Sequence, residues 1–377
     1  MMKPPEVVVA TSREQLTALN EAWASCVDRA SRVSVFLTGE WLGRWWAHYG
    51  AGRDLHLLVA RRGERVVGLL PLYVERQSVA GLPARVLRFM GTGGDTSPDY
   101  LGAVVDDEGA DETMEALCHS VASDRSWDVL QLSDMLEDSP FERAMEKACR
   151  ERGILVHRAS SGQIAVANLP PTWDEYLSTF SRDQRYSIRR QRRRLEEDHR
   201  ARLFVWSDAA NLDRAIDRLA ELHRRRWEGR VTRHGFSSPE YLAFHRDVMK
   251  SCFAMGRLRL YCLEISGQIV AMQYCYAFRR EISMFQSGFE PDLAHLRLGY
   301  VLTAWVIEQA IGEGMRVYDM LKGEHSYKAI WARDKRLIVR FSGYRRTPAG
   351  MLAVLRRELI PSWRRRFRRE PAQTEAS

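Results

Sequence analysis

Hydrophobic and polar positions repeat in the same order in the two halves of the chain. In the first half, Leu55–Arg76 reads as an alternating apolar strand, a polar turn with Gly63, and a second strand rich in β-branched residues. In the second half, Leu258–Arg280 repeats this order around Gly267. Two strands that flank such a turn form a β-hairpin. The pattern therefore predicts one hairpin in each half.

The segments around each hairpin repeat as well. A helical pattern that carries tryptophan precedes each hairpin, and a strand, a helical pattern and another strand follow it. Two copies of a helix–β–β–β–helix–β unit predict an α/β (α+β) fold with two related domains. We place these domains at residues 1–160 and 161–345. We expect residues 346–377 to form a basic amphipathic helix and a disordered tail.

An Arg-rich segment follows the predicted junction of the two domains. TWDEYLSTF begins a helix with Thr172 as its N-cap residue and Glu175 three positions later. In Ser181–Arg202, arginines then cover nearly every face of the next predicted helix. Such a helix is either a solvated connection or an electrostatic cradle for phosphates or RNA.

The C-terminal segment has an apolar stripe among arginines. This stripe either docks on the protein itself or makes a weak contact with an anionic membrane surface. Its members recur at helical spacing and are Leu352, Leu355, Leu359, Trp363 and Phe367.

Composition narrows the protein class further. The chain has 377 residues and a formal net charge of +8, and nearly all of its cations are Arg. The Arg content indicates either a GC-rich genome or an anionic substrate or cofactor. No apolar run reaches the roughly 18 residues of a membrane-spanning helix. The six cysteines include no C-x-x-C pair, which favours reduced thiols over zinc ligands. We therefore expect a cytoplasmic protein without a metal.

Two segments are candidates for phosphate or substrate binding. GTGGDTSPDY at 91–100 is Gly-rich but has no Lys, so it is a weak phosphate loop and either lines a substrate or simply connects two elements. Gly299–Ile311 is apolar on most of its circumference and predicts a helix buried against a sheet. Arg297 and Gly299 lie at its start, where unpaired N–H groups can hold a diphosphate and glycine permits its close approach. The alternative is a plain helix start.

These segments resemble a known family. RLGYVL at 297–302 resembles the acyl-coenzyme A loop of GCN5-related N-acetyltransferases (GNAT), although that loop usually has two glycines. Together with LHRRRW at 222–227, SGFEP at 287–291 and YDMLKGEHSYKAIWA at 318–332, it resembles the tandem acetyltransferase-like CelD/BcsL family, whose name links it to cellulose biosynthesis. The chain is more distantly similar to the FemAB aminoacyl transferases. The resemblance covers roughly residues 35 to 345.

The resemblance implies two tandem GNAT-like domains, each with a mixed, mostly antiparallel sheet flanked by helices. It implies that the second domain binds acetyl-CoA or another acyl-CoA, and that the first shapes the acceptor pocket. The residues that we assign to the cofactor are Arg297, Leu298, Gly299 and Tyr300 in the loop, and Gln286 and Ser287 in the preceding strand.

Acyl transfer to an amine requires that the attacking nitrogen lose a proton and the leaving thiolate gain one. Asp319, or Glu324 just after it, is a candidate proton acceptor, and Glu290 is a further one. Tyr327 has the chemistry of the proton donor, and Lys328 that of an oxyanion stabiliser. Each also has an ordinary interpretation, as a turn or loop carboxylate, a core aromatic or a solvated Lys.

Three residues share one face of the predicted helix before the second hairpin, at positions i, i+3 and i+4. They are His223, Arg226 and Trp227, which either line the acceptor cleft or form a structural Trp with surface cations.

Together these features predict an acyl-CoA-dependent N-acyltransferase with a small-molecule or glycan-precursor acceptor. One alternative keeps the fold and uses charged tRNA as the donor, and another is a non-catalytic scaffold in polysaccharide synthesis. We predict no DNA partner. The sequence determines neither the acceptor nor the acyl chain.

Overall fold

A computed structural model describes residues 3–79, 81–96, 98–228, 235–323 and 326–359. Glu324, Trp363, Phe367 and the predicted disordered tail lie outside these ranges. Within them, the chain forms one mixed β-sheet with helices packed on it.

The sheet contains thirteen strands in the described ranges. They are β1 (Glu6–Ala10), β2 (Asp54–Arg62), β3 (Arg65–Val79), β4 (Leu82–Phe89), β5 (Val104–Val105), β6 (Val129–Leu136), β7 (Leu155–Asn168), β8 (Arg202–Val205), β9 (Leu258–Ile265), β10 (Gln268–Phe278), β11 (Glu281–Phe289), β12 (Val317–Lys322) and β13 (Asp334–Tyr344).

The α-helices of the same ranges are α1 (Arg13–Ala18), α2 (Asn20–Arg29), α3 (Gly39–Tyr49), α4 (Ala110–Ser123), α5 (Pro140–Glu151), α6 (Trp173–Ser178), α7 (Arg182–Asp198), α8 (Leu212–Trp227), α9 (Pro239–Ala254), α10 (Leu298–Gly312), α11 (Lys328–Trp331) and α12 (Pro348–Val354). Short 3₁₀ turns lie at Val35–Leu37, Gly235–Ser237 and Pro291–Leu296, and a π-helical turn at Leu355–Leu359 follows α12.

The repeated hairpins of the sequence are confirmed, although α9 lies between the tryptophan-bearing α8 and the second hairpin. Both hairpins are present, β2 with β3 and β9 with β10, and their turns contain Gly63 and Gly267 at φ of 62° and 77°. In the first unit (α1–α5 with β1–β6), β4 pairs in parallel with β6. In the second unit (α6–α11 with β8–β12), β11 pairs in parallel with β12. Thus β2, β3, β4, α4 and β6 correspond to β9, β10, β11, α10 and β12.

Two strands are exchanged between the units. The central order is β4-β6-β13-β7-β12-β11. β7 follows the first unit but pairs with β12 of the second, and β13 follows the second unit but pairs with β6 of the first. The predicted boundary at residue 160 falls inside β7. The two units therefore share one continuous sheet.

This exchange sets the direction of the two parallel pairs. Each of the neighbouring pairs β6–β13, β13–β7 and β7–β12 is antiparallel, so β6 and β12 run in opposite directions. Each parallel pair extends over only three residue pairs, after which its strands separate. The sheet therefore has two clefts, and they open at opposite ends of its strands.

Aromatic side chains join the two units on one side of the sheet. The ring of Phe36 contacts that of Tyr276 with centroids 5.8 Å apart, and Trp41 contacts Phe244 at 5.1 Å. All of the six cysteines are buried, and none forms a disulfide. Among the described residues, no helix is both long and apolar enough to cross a membrane.

One glycine allows α8 to lie directly on β11. A Cβ added at Gly288 would lie 2.4 Å from the backbone nitrogen of His223 and 2.6 Å from the carbonyl carbon of Leu222. These are backbone atoms of a helix, so they cannot move aside as the end of a flexible side chain would. The close approach of α8 therefore requires glycine here.

We predict that Gly288→Ala destabilises the protein by roughly 1–3 kcal/mol, because α8 must move away from β11. The matched control is Gly43→Ala in α3, where an added Cβ meets no atom within 4 Å outside its own helix. The control should be neutral or stabilising by roughly 0.5–1 kcal/mol. Urea unfolding followed by tryptophan fluorescence measures both. Equal stabilities of Gly288→Ala and wild type would show that α8 is not held this closely.

Candidate functional site

The cleft between β11 and β12 is the centre of the candidate site. The two strands pair from Glu281–Ser283 to Val317–Asp319 and then separate. The register of β11 against β10 shifts between Met284 and Gln286, so Phe285 is an extra, bulged residue. A bulge bends its strand and is common beside active sites. Here it lies where β11 leaves β12.

Two cavities lie beside this opening. The one that we name the α10 cavity has a volume of about 340 Å³, and the one that we name the β12 cavity has about 320 Å³. Both are lined by Arg226, Met284, Ser287 and Tyr327, so they adjoin each other. The α10 cavity also contains Phe289, Arg297, Leu298, Gly299, Tyr300 and Trp331, and the β12 cavity also contains His223, Trp227, Gln286, Lys322 and Lys328.

The start of α10 is open to the α10 cavity. Arg297 is its N-cap residue at φ 55°, no side chain caps the helix, and its first turn carries no acidic residue. A Cβ added at Gly299 would meet only Cδ1 of Phe289, at 3.8 Å. The Arg297 guanidinium lies 4.3 Å from the ring centroid of Tyr300. Backbone N–H groups, the helix dipole and a cation thus converge on one space, which suits a phosphate group.

Aromatic contacts bring α11 to this helix start. The ring centroids of Tyr300 and Trp331 are 4.9 Å apart, and Tyr176 donates a hydrogen bond of 2.6 Å from its hydroxyl to the carbonyl of Trp331. Tyr327, just before α11, therefore lines both cavities. Burial raises the pKa of Tyr327, although the Arg226 guanidinium beside it acts in the opposite direction. The phenol is protonated at neutral pH, as a proton donor must be.

Lys328 holds the end of β12. Its Nζ donates hydrogen bonds to the carbonyl oxygens of Met320, Leu321 and Lys322, at 2.8, 2.8 and 3.1 Å. Leu321 has a φ of 54°, which is strained for a leucine and turns these carbonyls towards the ammonium. Burial lowers the pKa of Lys328 to about 8. Lys328 is thus a buried cation in the wall of the β12 cavity, not a solvated Lys.

Asp319 lies outside both cavities. Its side chain is fully buried and lines neither cavity. One carboxylate oxygen accepts hydrogen bonds from the Tyr100 hydroxyl and from Arg336, the latter at 3.1 Å, and the other accepts from the Leu321 amide at 2.7 Å. Burial, aided by the charge of Glu281, raises the pKa of Asp319 well above its usual range. The structure does not place Asp319 where it would meet an attacking amine.

Glu290 also lies outside the two cavities. Two arginines of α8 hold its carboxylate, Arg218 at 2.7 Å and Arg225 at 2.5 Å. These ion pairs direct the side chain towards the helix and away from the cleft. The expectation that Glu290 serves as a base there has no geometric support. Among the described residues, no group of three or more His, Cys, Asp or Glu side chains is placed to hold a metal ion.

The predicted helix face of α8 does line the β12 cavity. Arg226 donates a hydrogen bond of 2.6 Å to Oγ of Ser287, and its guanidinium lies 5.3 Å from the Trp227 ring and 5.0 Å from the Phe289 ring. His223 is buried on the same wall. The structure thus brings His223, Arg226 and Trp227 together in the wall of the β12 cavity. Ser287, which we assigned to the cofactor, lines both cavities, whereas Gln286, assigned with it, lines the β12 cavity and not the α10 cavity.

Two aspartates of the first unit hold the end of β12 without lining either cavity, and the sequence pattern did not assign them. Oδ2 of Asp99 accepts a hydrogen bond of 2.8 Å from the Lys322 amide, and Nζ of Lys322 pairs with Asp134 at 2.7 Å. Burial raises the pKa of Asp99 to about 6. The one signal in the sequence was the aspartate and tyrosine that end the Gly-rich segment 91–100.

Comparisons with known proteins agree with this fold. Residues 182–329 match the family model described as "Acetyltransferase (GNAT) domain", which lies in the second unit. No curated protein matches the chain in sequence.

Several solved structures share the fold over most of their length. FemX has a TM-score of 0.60 at 12% identity, over 92% of this chain and 99% of that chain. L-PGS from Bacillus licheniformis has a TM-score of 0.53 at 14% identity, over 91% and 96%. The C-terminal domain of a protein described as a lysylphosphatidylglycerol synthetase, from Agrobacterium fabrum, has a TM-score of 0.52 at 12% identity, over 91% and 97%. At these identities the likeness establishes the fold alone. The chain thus has a tandem GNAT-like architecture, with the matched acetyltransferase domain in its second unit.

Proposed function

We propose that this protein transfers an acyl group from acyl-CoA to an amine, and that the second unit carries out the reaction. The observation that carries the proposal is the α10 cavity. It joins an uncapped helix start without acidic residues to the place where β11 and β12 separate. Acyl-CoA has an anionic diphosphate and an extended, uncharged pantetheine arm, so its site needs these two features side by side.

The donor would bind from the helix start inwards. The diphosphate of CoA lies on the N–H groups of Leu298 and Gly299, and Arg297 adds a positive charge. The pantetheine arm enters the opening between β11 and β12. Its thioester then reaches Tyr327, which lines both cavities.

The acceptor would approach through the β12 cavity, past the face of α8. Its neutral amine attacks the thioester carbonyl, a C–N bond forms, and the C–S bond breaks. The nitrogen loses one proton and the sulfur gains one. Tyr327 relays this proton, since burial keeps its hydroxyl protonated. Lys328 provides positive charge near the developing oxyanion and fixes the β12 end through its three carbonyl contacts.

The acceptor itself is assigned by resemblance. The CelD/BcsL-like segments favour a small molecule or a glycan precursor that carries an amine, in polysaccharide or cell-envelope synthesis. We retain the domain division at 1–160, 161–345 and 346–377 as part of this proposal, with the first unit shaping the acceptor pocket.

The exposed face of α7 favours a second candidate function, aminoacyl transfer from charged tRNA. Phe180, just before α7, packs on Trp331 with centroids 5.9 Å apart, and Trp331 packs on Tyr300 in the α10 cavity. A basic surface therefore starts beside the donor cavity and can contact a long polyanion. The exposed residues of this surface are Arg182, Tyr186, Arg189, Arg190 and Arg193.

A pair of substitutions at Gly299 tests the donor. We predict that Gly299→Asp weakens acetyl-CoA binding at least about tenfold, because it puts a negative charge where the diphosphate would lie. It should not destabilise the fold, because an added Cβ fits and an acid in the first turn of a helix is favourable.

The matched control is Gly299→Asn, which has the same shape without the charge and should bind more tightly than the Asp variant. Thermal shift and isothermal titration calorimetry with acetyl-CoA measure both. Identical affinities of wild type and Gly299→Asp, or no binding by wild type at millimolar acetyl-CoA, would refute the donor assignment.

The ionisation of Lys328 gives a pH-dependent prediction. Its pKa of about 8 in the folded protein lies below the value of about 10.4 in the unfolded chain. Folding therefore releases a proton from Lys328 between these pH values, so the unfolding free energy rises with pH across this window. Relative to Lys328→Met, we expect wild type to gain on the order of 2 kcal/mol between pH 7.5 and pH 10.5. Urea unfolding at several pH values measures this difference, and a difference independent of pH would contradict a buried Lys328.

Charge reversal on α7 separates the two donors. If tRNA is the donor, its binding should weaken steeply with salt, and the double variant Arg190→Glu/Arg193→Glu should lose it. The same variant should bind acetyl-CoA as wild type does, because α7 does not line the α10 cavity. Filter binding with total tRNA at several salt concentrations provides the measurement. Turnover of acyl-CoA that is insensitive to salt would exclude tRNA as the donor.

A further inference from the structure

A further cavity, with a volume of about 650 Å³, is lined mainly by the first unit and on its other side by Phe278, Arg279, Glu281, Ser283 and Arg336. We name it the α4 cavity. β4 and β6 pair from Val86–Arg88 to Val129–Gln131 and then separate, as β11 and β12 do in the second unit. The start of α4 lines this cavity, as the start of α10 lines the α10 cavity. The α4 cavity therefore lies at the start of the helix that corresponds to α10 and at the end of β6, although no residue of β4 lines it.

The α4 cavity and the proposed donor site lie at opposite ends of the sheet. β6 and β12 run in opposite directions, so the clefts beside them open at opposite ends. The residues that line the α4 cavity agree with this placement. Leu136 at the end of β6 and Glu281 at the beginning of β11 both border it. A molecule in this cavity would not meet the thioester. The cavity is thus a separate site and not the acceptor pocket of the same reaction.

The start of α4 is unsuited to phosphate. Its first turn carries Asp111 and Glu112, whereas the first turn of α10 carries no acid. Asp111 occupies the position of Gly299 in the repeat and borders the cavity. Carboxylates at this point already use the positive end of the helix and repel an anion. A diphosphate would therefore be disfavoured here.

The remaining wall is largely apolar, and the charges deep in it have partners. Arg336 pairs with Glu281 at 3.1 Å and with Asp319 at 3.1 Å, and Arg279 donates to the carbonyl oxygens of Val27 and Asp28. Arg32, Asp107 and Asp111 lie on exposed chain and carry charges of both signs. The apolar surface comes from Val35, Leu101, Met114, Phe141 and Phe278.

We propose that the α4 cavity is a second ligand site, and that it binds a phosphate-free small molecule with an apolar aliphatic or aromatic body. Its volume lies within the range of roughly 300–1,000 Å³ that is usual for small-molecule sites. A wall with more apolar than polar surface is also usual for such sites. The proposal depends on the repeat and on the lining residues, and it does not require that the second unit use acyl-CoA.

N-phenyl-1-naphthylamine, a neutral apolar fluorophore, is a suitable probe. We expect a saturable rise of its emission on titration with the full chain, with one site per molecule. Met114→Trp, which fills the cavity from α4, should weaken binding at least tenfold. Ala103→Leu fills the cavity from another side and should also weaken binding of the probe. If one variant fails to fold, the other still tests the proposal. The control is Ala47→Trp, which borders a different cavity of about 420 Å³ and should bind as wild type does.

Competition with CoA distinguishes the two clefts. Saturating CoA should leave the fluorophore bound, because the α4 cavity has no phosphate site. No saturable emission change, or wild-type affinity in folded Met114→Trp and Ala103→Leu, would overturn the proposal. Displacement by CoA would also overturn it, because the probe would then be in a CoA-binding cleft. A failure of CoA to bind at all would count against the proposed function and leave the fluorophore result unaffected.

Discussion

The exchange of β7 and β13 is the constraint on which the rest of the structure depends. Without these strands, β6 and β12 would each be an edge with unpaired backbone groups, which is unfavourable and prone to aggregation. With them, each unit completes the sheet of the other, so neither unit has its full set of strand pairs alone. The exchange also fixes the two clefts at opposite ends of the strands. One topological feature thus determines both the complete strand pairing of each unit and the placement of the two clefts.

Buried polar groups lie where the two units meet. Asp319 and Arg336 come from β12 and β13, whereas Tyr100 comes from the first unit. Buried charges are costly unless they are paired, so this cluster favours a single register between β12 and the loop that carries Tyr100. Asp99, the neighbour of Tyr100, holds the Lys322 amide at the other cleft. Two consecutive residues thus connect the wall of the α4 cavity with the wall of the β12 cavity.

The sequence predicted those features that depend on local pattern. The hairpins around Gly63 and Gly267, the N-cap at Thr172 and the buried helix after Arg297 all follow from residues close together in the chain. The strand exchange depends on pairing between distant segments, so no local pattern reveals it. The position of Asp319 was missed for the same reason, because its partner Tyr100 lies far away in the sequence. Glu290 was expected in the cleft, but two arginines of α8 hold its carboxylate outside both cavities.

The two units show how one fold can offer different chemistry at equivalent positions. In both, a helix starts beside a cleft that opens where two parallel strands separate. The second unit has Gly299 in the first turn of that helix, and the first unit has Asp111. Glycine exposes the backbone N–H groups to an anion, whereas aspartate satisfies the helix dipole within the protein. The first turn of α4 carries two carboxylates and that of α10 carries none, so an anion is disfavoured at the start of α4. The architecture alone therefore does not specify the ligand.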